Sequence, residues 1–345
     1  MRILHVLSSP FFSGAENVAC QIIRMLEKTG FEIAYASPNG VISKTLRDLN
    51  IKFLPMQKFN IRELKRIIFE FKPDIIHAHD MRASFLVSVC KGRIPYISHI
   101  HNNNFNSRGL SLKSIAYLIA ALKSKKILWV SKSSFCGYKF SKFLKSKSEI
   151  LYNVIDLEGL YKKALIASDT EKYDIIFLGR LTYQKNPFRL IEILKKAISY
   201  NADLKIVIVG TGDLEIDIKN KVLEYKLNRN ITFKGFMDNP LGLLKNAKVM
   251  VMCSFWEGTP MCALESMGLG TPVITTPVDG LRDIIDNNEN GIFADSDDEF
   301  VSAILKTTSN LKIVDTLSLN AISKSKEINN INKYRSKILE IYNSI

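Results

Sequence analysis

Short, nearly unbroken apolar runs alternate along the chain with longer segments whose apolar positions recur every three or four residues. The first run, Arg-Ile-Leu-His-Val-Leu at 2–7, predicts a strand, and 15–27 carries Val18, Ile22, Met25 and Leu26 on one helical face. The alternation continues with strands at 31–36, 52–55, 74–77, 96–99 and 126–130, and helices at 41–49, 61–71, 82–90, 111–124 and 132–143. Residues 153–173 are more polar and carry no strand signal. The pattern then restarts, with strands at 174–178, 204–209, 231–233, 247–253, 273–276 and 291–294 and helices between them. Strands apolar on both faces, each followed by a helix, predict parallel sheets covered on both sides. The expected fold class is α/β, with two doubly wound, Rossmann-like domains. We place an N-terminal domain at 1–155, a linker at 156–173, a C-terminal domain at 174–325, and a helix at 326–345 that packs back on the first domain. A cleft between two such domains is a common setting for a nucleotide-linked substrate.

Composition adds little until charge is mapped. The length of 345 residues suits two cores rather than one. No apolar run approaches the ~20 residues of a membrane span, and Met1-Arg2 leads straight into the first strand with no signal-peptide pattern. Cys20, Cys90, Cys136, Cys253 and Cys262 are odd in number and lack paired spacing, which fits a reducing cytoplasm and no zinc ribbon. The net charge of +14 is uneven: residues 1–150 hold 24 Lys and Arg against 9 Asp and Glu, and the remainder 24 against 25. From Met81 to Ser148 there are 13 basic residues and no acidic one. Such a face suits an anionic membrane leaflet, an anionic acceptor or nucleic acid.

The richest stretch for chemistry runs from Ser254 to Gly280. An apolar strand meets Gly258-Thr259-Pro260, after which Met261 to Gly268 reads as a helix stopped by Gly268 and Gly270. Strand, turn and helix N-terminus make an anion site, bracketed by the carboxylates of Glu257 and Glu265. Alone, the same pattern also describes an ordinary helix start with a surface glutamate. Gly179-Arg180 and Lys185 follow the first strand of the second domain, at the edge where ligands of open α/β sheets gather. A guanidinium fork and an ammonium suit a diphosphate, although two solvated loop cations would look the same. Gly210-Thr-Gly212-Asp213 begins like a dinucleotide fingerprint, but Glu215 stands where its third glycine belongs, so it reads as a tight turn.

All five histidines fall within the first 101 residues, four of them in His77-Ala-His79-Asp80 and His99-Ile-His101. Alternation on a strand sends both rings of an HxH to one side, which raises a metal centre; no further ligand cluster completes it, so no metal is expected. One histidine reaching the cleft, with the others bonded locally, is the preferred reading. Asp295-Ser-Asp297-Asp298 opens a helix and reads as its cap. The helix at 111–124, with Leu112, Ile115, Leu118, Ile119 and Leu122 beside Lys113 and Lys123, fits either a membrane surface or a core.

Together these residues resemble the retaining glycosyltransferases of family 4, whose GT-B fold sets two Rossmann-like domains face to face. The match covers nearly the whole chain. Its most specific parts are Glu257-Gly-Thr-Pro-Met-Cys-Ala-Leu-Glu265 and Gly179-Arg180-Leu with Lys185-Asn. His77-Ala-His79-Asp80, Ser98-His-Ile-His101-Asn and Gly14-Ala-Glu16 are similar to the branch that builds bacterial exopolysaccharide, capsule and lipopolysaccharide. The resemblance implies a cytoplasmic enzyme, peripheral on the inner membrane face. It would move a hexosyl or N-acetylhexosaminyl group, with retention, from a nucleotide-diphosphate sugar, UDP-linked by preference. The acceptor would be a glycan or a lipid-linked oligosaccharide. No cofactor and no metal would be needed, and nucleic acid is not an expected partner.

By the same resemblance, Arg180 and Lys185 neutralise the diphosphate, with Gly14 and the amides of Met261, Cys262 and Ala263 along the phosphates. Glu257 binds sugar hydroxyls, Glu265 the ribose, and His101 the sugar at the reacting carbon. Gly235, Phe236 and Met237 edge the base, and Gly179, Gly258, Thr259 and Pro260 complete the donor loops. Ser13 stands where the family has a glycine, and Val154 replaces the glycine of its Asn-Gly-x-Asp linker motif. Competing readings are another GT-B enzyme (an epimerase or phosphorylase), a non-catalytic basic binding protein, and a metal hydrolase built on the HxH pairs.

Overall fold

The structure, a computed structural model, describes residues 1–101 and 105–345. Asn102, which ends one of the motifs above, lies outside the described residues. The chain forms two compact units: 1–153 with 331–345, and 154–330.

The first unit is a seven-stranded sheet of β1 (Arg2–Leu7), β2 (Glu32–Pro38), β3 (Phe53–Met56), β4 (Ile75–His79), β5 (Tyr96–Ile100), β6 (Lys126–Trp129) and β7 (Ser148–Ile150). Its order is β3-β2-β1-β4-β5-β6-β7, parallel throughout. The chain winds outward from β1 in both directions, which leaves a switch point between β1 and β4. Leu4, Val6, Ala34, Ala36, Ile76 and Ala78 face one layer with Leu64, Ile67 and Val87. Leu7 and Tyr35 face the other, against Ala19 and Ile23 of the helix Gly14–Met25. The closing helix Ile331–Asn343 joins this second layer, with Arg335 donating to the Met25 carbonyl at 2.8 Å.

The second unit carries β8 (Ile175–Leu178), β9 (Ile206–Val209), β10 (Ile231–Gly235), β11 (Val249–Met252), β12 (Val273–Thr275) and β13 (Gly291–Phe293), in the parallel order β10-β9-β8-β11-β12-β13. Its switch point lies between β8 and β11. One core joins the sheet to Leu190, Ile191 and Leu194 of the helix Pro187–Tyr200 and to Phe300 and Ile304 of the helix Asp297–Ser309.

Two expectations change, and a third holds. Residues 156–173 are not a free linker: the helix Leu157–Leu165 forms there, capped by Asp156, and Tyr161 Oη donates to the Gly268 carbonyl at 2.7 Å. A Cβ on Gly268 would lie 2.8 and 2.9 Å from Leu160 and Leu157, so this helix sits tight on its own unit. The helix expected at 132–143 is two pieces, Lys132–Cys136 and Ser141–Leu144, and the three-residue β7 had no periodic signal to find. The acidic run at 295–298 is a cap: Ser296 and Glu299 form a capping box, and Asp297 pairs with Arg189 at 2.8 Å.

Candidate functional site

Both switch points carry the polar residues singled out above. In the second unit, β8 delivers Gly179 and Arg180, and β11 delivers Ser254 to Glu257. Lys185 ends the short turn Tyr183–Lys185, and Asn186 then takes φ +52° to aim the chain into the Pro187 helix. This brings Lys185 Nζ to 2.6 Å from Glu257 Oε1, with the two side chains only 12% and 5% exposed. The two loops are clipped along their length. Gln184 Nε2 donates to the Trp256 carbonyl at 2.9 Å, and the Phe255 amide to the Gln184 carbonyl at 2.9 Å. From behind, Asp279 Oδ2 accepts the Glu257 amide at 3.0 Å.

The helix Met261–Leu269 starts beside this pair. Its N-cap is Pro260, with no side-chain cap, and Gly270 ends it at φ +81°. The first-turn amides of Met261 and Cys262 have no carbonyl one turn back within the helix. The Ala263 amide differs: it bonds the Pro260 carbonyl at 3.1 Å, so it is not a free donor alongside the other two. Gly258, Thr259 and Pro260 are buried.

Charge is concentrated here. Burial favours a neutral Lys185, but the Glu257 carboxylate, Cys262 and the hydrogen bond to Glu257 outweigh it and hold the ammonium above the ordinary lysine value, against the opposing charge of Arg180. Arg180 is exposed and, among the described residues, has no ion pair. Burial pushes the Cys262 thiol up to about 11, despite nearby Lys185. Burial also pushes the half-buried Glu265 up to about 7, opposed by Lys163. The site is therefore a cationic corner with one buried carboxylate partner, next to a helix start that favours anions.

Gly235 lies on the same sheet edge, its carbonyl accepting the Gly210 amide at 2.7 Å. It takes φ +63° at the end of β10, followed by exposed Phe236 and half-buried Met237. Gly210, at φ +129°, has no room for a Cβ, which would fall 2.0 Å from the Gly179 carbonyl oxygen.

In the first unit, Gly14 is exposed at the start of its helix, and Ser13 is the N-cap, in a capping box with buried Glu16. The histidines form one stack. His5, His77, His79 and His99 are fully buried, and His101 is partly exposed. Asp80 caps the next helix through the Ala83 amide and holds Ser8 Oγ at 2.7 Å. Two triads, His5/His77/His79 and His79/His99/His101, each bring ring nitrogens within 4.8 Å of one another. However, His5 Nδ1–His79 Nε2 and His79 Nδ1–His101 Nε2 are 2.8 and 2.9 Å apart. Those are hydrogen-bond distances, shorter than the about 3.3 Å between ligands of a tetrahedral zinc at ~2.0 Å.

Residues 12–158 match the family described as Glycosyltransferase Family 4, and residues 162–324 match Glycosyl transferases group 1. An uncharacterised glycosyltransferase of Methanocaldococcus jannaschii, MJ1607, is 30% identical over 75% of this chain and 73% of its own. The chain belongs to glycosyltransferase family 4. Across 99% of this transferase, the Escherichia coli UDP-Gal:alpha-D-GlcNAc-diphosphoundecaprenol alpha-1,3-galactosyltransferase is 26% identical, over 96% of its own length. The Staphylococcus aureus capsular polysaccharide biosynthesis glycosyltransferase CapH is 25% identical over 100% and 99% of the two chains. Among solved structures, Anabaena HepE in complex with UDP-glucose superimposes with a TM-score of 0.87 over 100% of both chains at 16% identity, which places the transferase in the GT-B fold.

Of the residues expected at the site, the second unit brings together Gly179, Arg180, Lys185, Glu257 and the helix start, with Glu265 farther along that helix. Gly14 and His101 belong to the other unit. Sequence reasoning missed the supports: Gln184, Asp279 and the backing glycine Gly280. Only the Asp-Gly dipeptide at 279–280, at the end of the stretch singled out above, is of a type that marks turns.

The helix Leu112–Lys123 packs one face and exposes another. Ser114, Tyr117, Ala120 and Ala121 face the unit's interior. Leu112 is 87% exposed, and Ile115, Ile119 and Leu122 also face out beside Lys113 and Lys123. No helix among the described residues is long and apolar enough to cross a membrane.

Proposed function

We propose that this transferase moves a sugar from a UDP-sugar to a lipid-linked glycan acceptor during cell-surface polysaccharide assembly, with retention at the anomeric carbon. The observation that carries this is the Lys185–Glu257 pair beside exposed Arg180, at the open end of the helix Met261–Leu269. Support for the donor comes from HepE, solved with UDP-glucose, and from the E. coli relative, named for UDP-Gal. That relative's diphosphoundecaprenol acceptor supports the lipid link.

In this reading, Arg180 and the Met261 and Cys262 amides bind the diphosphate, and Lys185 adds a charge that Glu257 partly balances. Glu257 keeps one oxygen for sugar hydroxyls, and Glu265 accepts from the ribose. The glycosidic C1–O bond breaks with its electron pair passing to the diphosphate oxygen. The acceptor hydroxyl oxygen attacks C1 on the same face, and its proton passes to that departing oxygen. Lys185, held by Glu257, and the helix-start amides are in place before bond cleavage, which is where preorganisation lowers a barrier most. Two side-chain cations and a helix dipole supply the role a divalent metal serves in other transferases, so no metal is required. The outward apolar stripe of the Leu112–Lys123 helix, in a stretch without acidic residues, would rest on the anionic inner leaflet.

The test is nucleoside diphosphate release from a panel of UDP-sugars, with and without membrane extract as acceptor source. Acceptor-dependent release, an α-linked product from an α-linked donor, and full rate in EDTA are expected. Release that ignores the acceptor would favour an epimerase or hydrolase, and an inverted product would overturn retention.

A further inference from the structure

Large aromatic side chains crowd the rim of the charged corner. Tyr183 stands two residues before Lys185, and Phe255 and Trp256 come directly before Glu257. The loops after β8 and β11 bring them together: the Phe255 amide donates to the Gln184 carbonyl, and Gln184 Nε2 to the Trp256 carbonyl, both at 2.9 Å. The Tyr183 ring centre then lies 4.9 Å from that of Phe255 and 6.0 Å from that of Trp256. Lys185 and Glu257 turn inward, whereas Tyr183 is 66% exposed and Phe255 46%.

A single exposed ring is ordinary, but a contiguous group beside a polar site marks a contact surface. The 31° tilt between Tyr183 and Phe255 is nearer stacking than edge-on, so one face of the tyrosine leans on the phenylalanine. With most of the residue exposed, its other face is open. Such a ring, braced from behind and tipped with a hydroxyl, matches a pyranose, which offers a flat patch of axial C–H bonds ringed by hydroxyls.

Strand order selects which sugar. Gly235 to Met237, the expected base edge, follow β10, two strands from β8 and on the side away from β11. Tyr183, Phe255 and Trp256 ride on β8 and β11, so they flank the sugar end of a donor rather than its base. A donor sugar held by Glu257 lies in the buried corner, and a ring on the exposed rim lies outside it. That position falls to the sugar being extended.

We propose that Tyr183, braced by Phe255 and Trp256, is a stacking platform for a pyranose ring of the acceptor glycan, so that the second unit takes part in acceptor choice. The inference rests on the reading of the charged corner as a nucleotide-sugar site.

Saturation-transfer NMR on the full-length protein tests the platform without any donor, with the methyl glycosides of β-glucose, β-galactose and β-N-acetylglucosamine as probes. Transfer to at least one of them should be strongest at the axial ring protons of one face, and absent for sorbitol, which has the hydroxyls but no ring. Tyr183→Ala should abolish it, and Tyr183→Phe, which keeps the ring, should retain most of it. In sugar transfer with membrane extract as acceptor source, Tyr183→Ala should raise the half-saturating amount of extract about tenfold, within the range for one aromatic contact and its buried area. UDP affinity and melting temperature should hold, and Phe255→Ala, which removes only the brace, should give a smaller rise. Transfer to no glycoside, equal transfer to sorbitol, or an acceptor dependence unchanged in Tyr183→Ala overturns the proposal. Weaker UDP binding in Tyr183→Ala would assign the platform to the donor, and lost binding to phosphatidylglycerol vesicles would assign it to the membrane; either overturns the acceptor role. If wild type fails to bind UDP, the nucleotide-sugar reading falls, while glycoside contact that disappears in Tyr183→Ala still supports the platform.

Discussion

Lys185 Nζ sits 2.6 Å from Glu257 Oε1, joining two loops that are 72 residues apart in sequence. Both side chains are largely withdrawn from water, so each charge depends on the other. Removing one partner strands a charge, at a cost of about 3 kcal/mol, whereas an apolar pair of similar size recovers most of it. Lys185→Ala and Glu257→Ala should each lower urea-unfolding stability by that amount, and Lys185→Met with Glu257→Leu should lose much less. Sugar transfer should vanish in all three. A double variant as unstable as the singles would mean that the loops are held by something other than this pair.

Arg180 separates stability from function in the opposite way. It is exposed and has no ion pair among the described residues, so Arg180→Ala should change stability by no more than about 0.5 kcal/mol. If its guanidinium meets charge that grows only in the transition state, kcat should fall by roughly 100-fold. Lysine at 180 restores charge without the planar fork and should recover part of that. Steady-state kinetics beside a melting curve decide it, and an unchanged kcat would remove Arg180 from the site.

The main outlines were legible because they are written in periodicity and in local motifs. Buried parallel strands leave apolar runs, and Gly258-Thr259-Pro260 ahead of an apolar helix marks its own start. Glu257 and Lys185 were each recognisable, but their pairing was not, since it depends on how loops after β8 and β11 meet at a switch point. Asp279 carried no sign that it accepts the Glu257 amide, 22 residues away. The helix Leu157–Leu165 was read as linker because its few apolar positions are spread thinly in a polar stretch. The histidines stood out by composition, yet Tyr342, 265 residues from His77, carried no sign of joining them.

Glu265 should make nucleoside binding depend on pH near neutrality. Burial lifts its carboxyl to about 7. On the proposed reading, the ionised carboxylate would accept from both ribose hydroxyls, and protonation would cost it one such bond. Affinity for uridine, which carries no phosphate to titrate, should therefore rise as pH increases through 7, and Glu265→Gln should flatten the curve. The sign for stability is the reverse. The folded value is raised, so the folded state holds the extra proton between the unfolded value near 4.5 and about 7, and stability falls as pH rises across that window. Calorimetric titration at several pH values checks the first part, and denaturant unfolding the second.

Gly280 backs the loop that carries Glu257. A Cβ there would fall 1.8 Å from the Gly258 carbonyl oxygen and 3.2 Å from the Thr259 nitrogen. Both are backbone atoms that cannot swing aside, so Gly280→Ala must push the loop outward and stretch the Asp279–Glu257 bond. We expect a loss of about 2 kcal/mol or more, in the range of other strained core changes, with weaker UDP binding. Gly109→Ala is the control, since nothing lies within 4 Å of its Cβ position. Equal stability of the two variants would show that the loop is not held where the structure puts it.

The Leu112–Lys123 helix allows the membrane reading to be tested without touching either cluster of site residues. Its inward face already packs through Tyr117, Ala120 and Ala121, so the outward Leu112, Ile115, Ile119 and Leu122 add nothing to that core. Exposed apolar side chains contribute to vesicle binding in proportion to the area they bury, and adjacent lysines add about 1 kcal/mol each near an anionic surface. Leu112→Ser with Ile119→Ser should leave the melting temperature within a degree or two and cut co-sedimentation with phosphatidylglycerol vesicles by at least tenfold. Turnover of a water-soluble acceptor analogue should not change, while turnover of a lipid-linked one should fall. Binding that is equal on neutral and anionic vesicles, or that survives the double substitution, would leave this stripe without a membrane role.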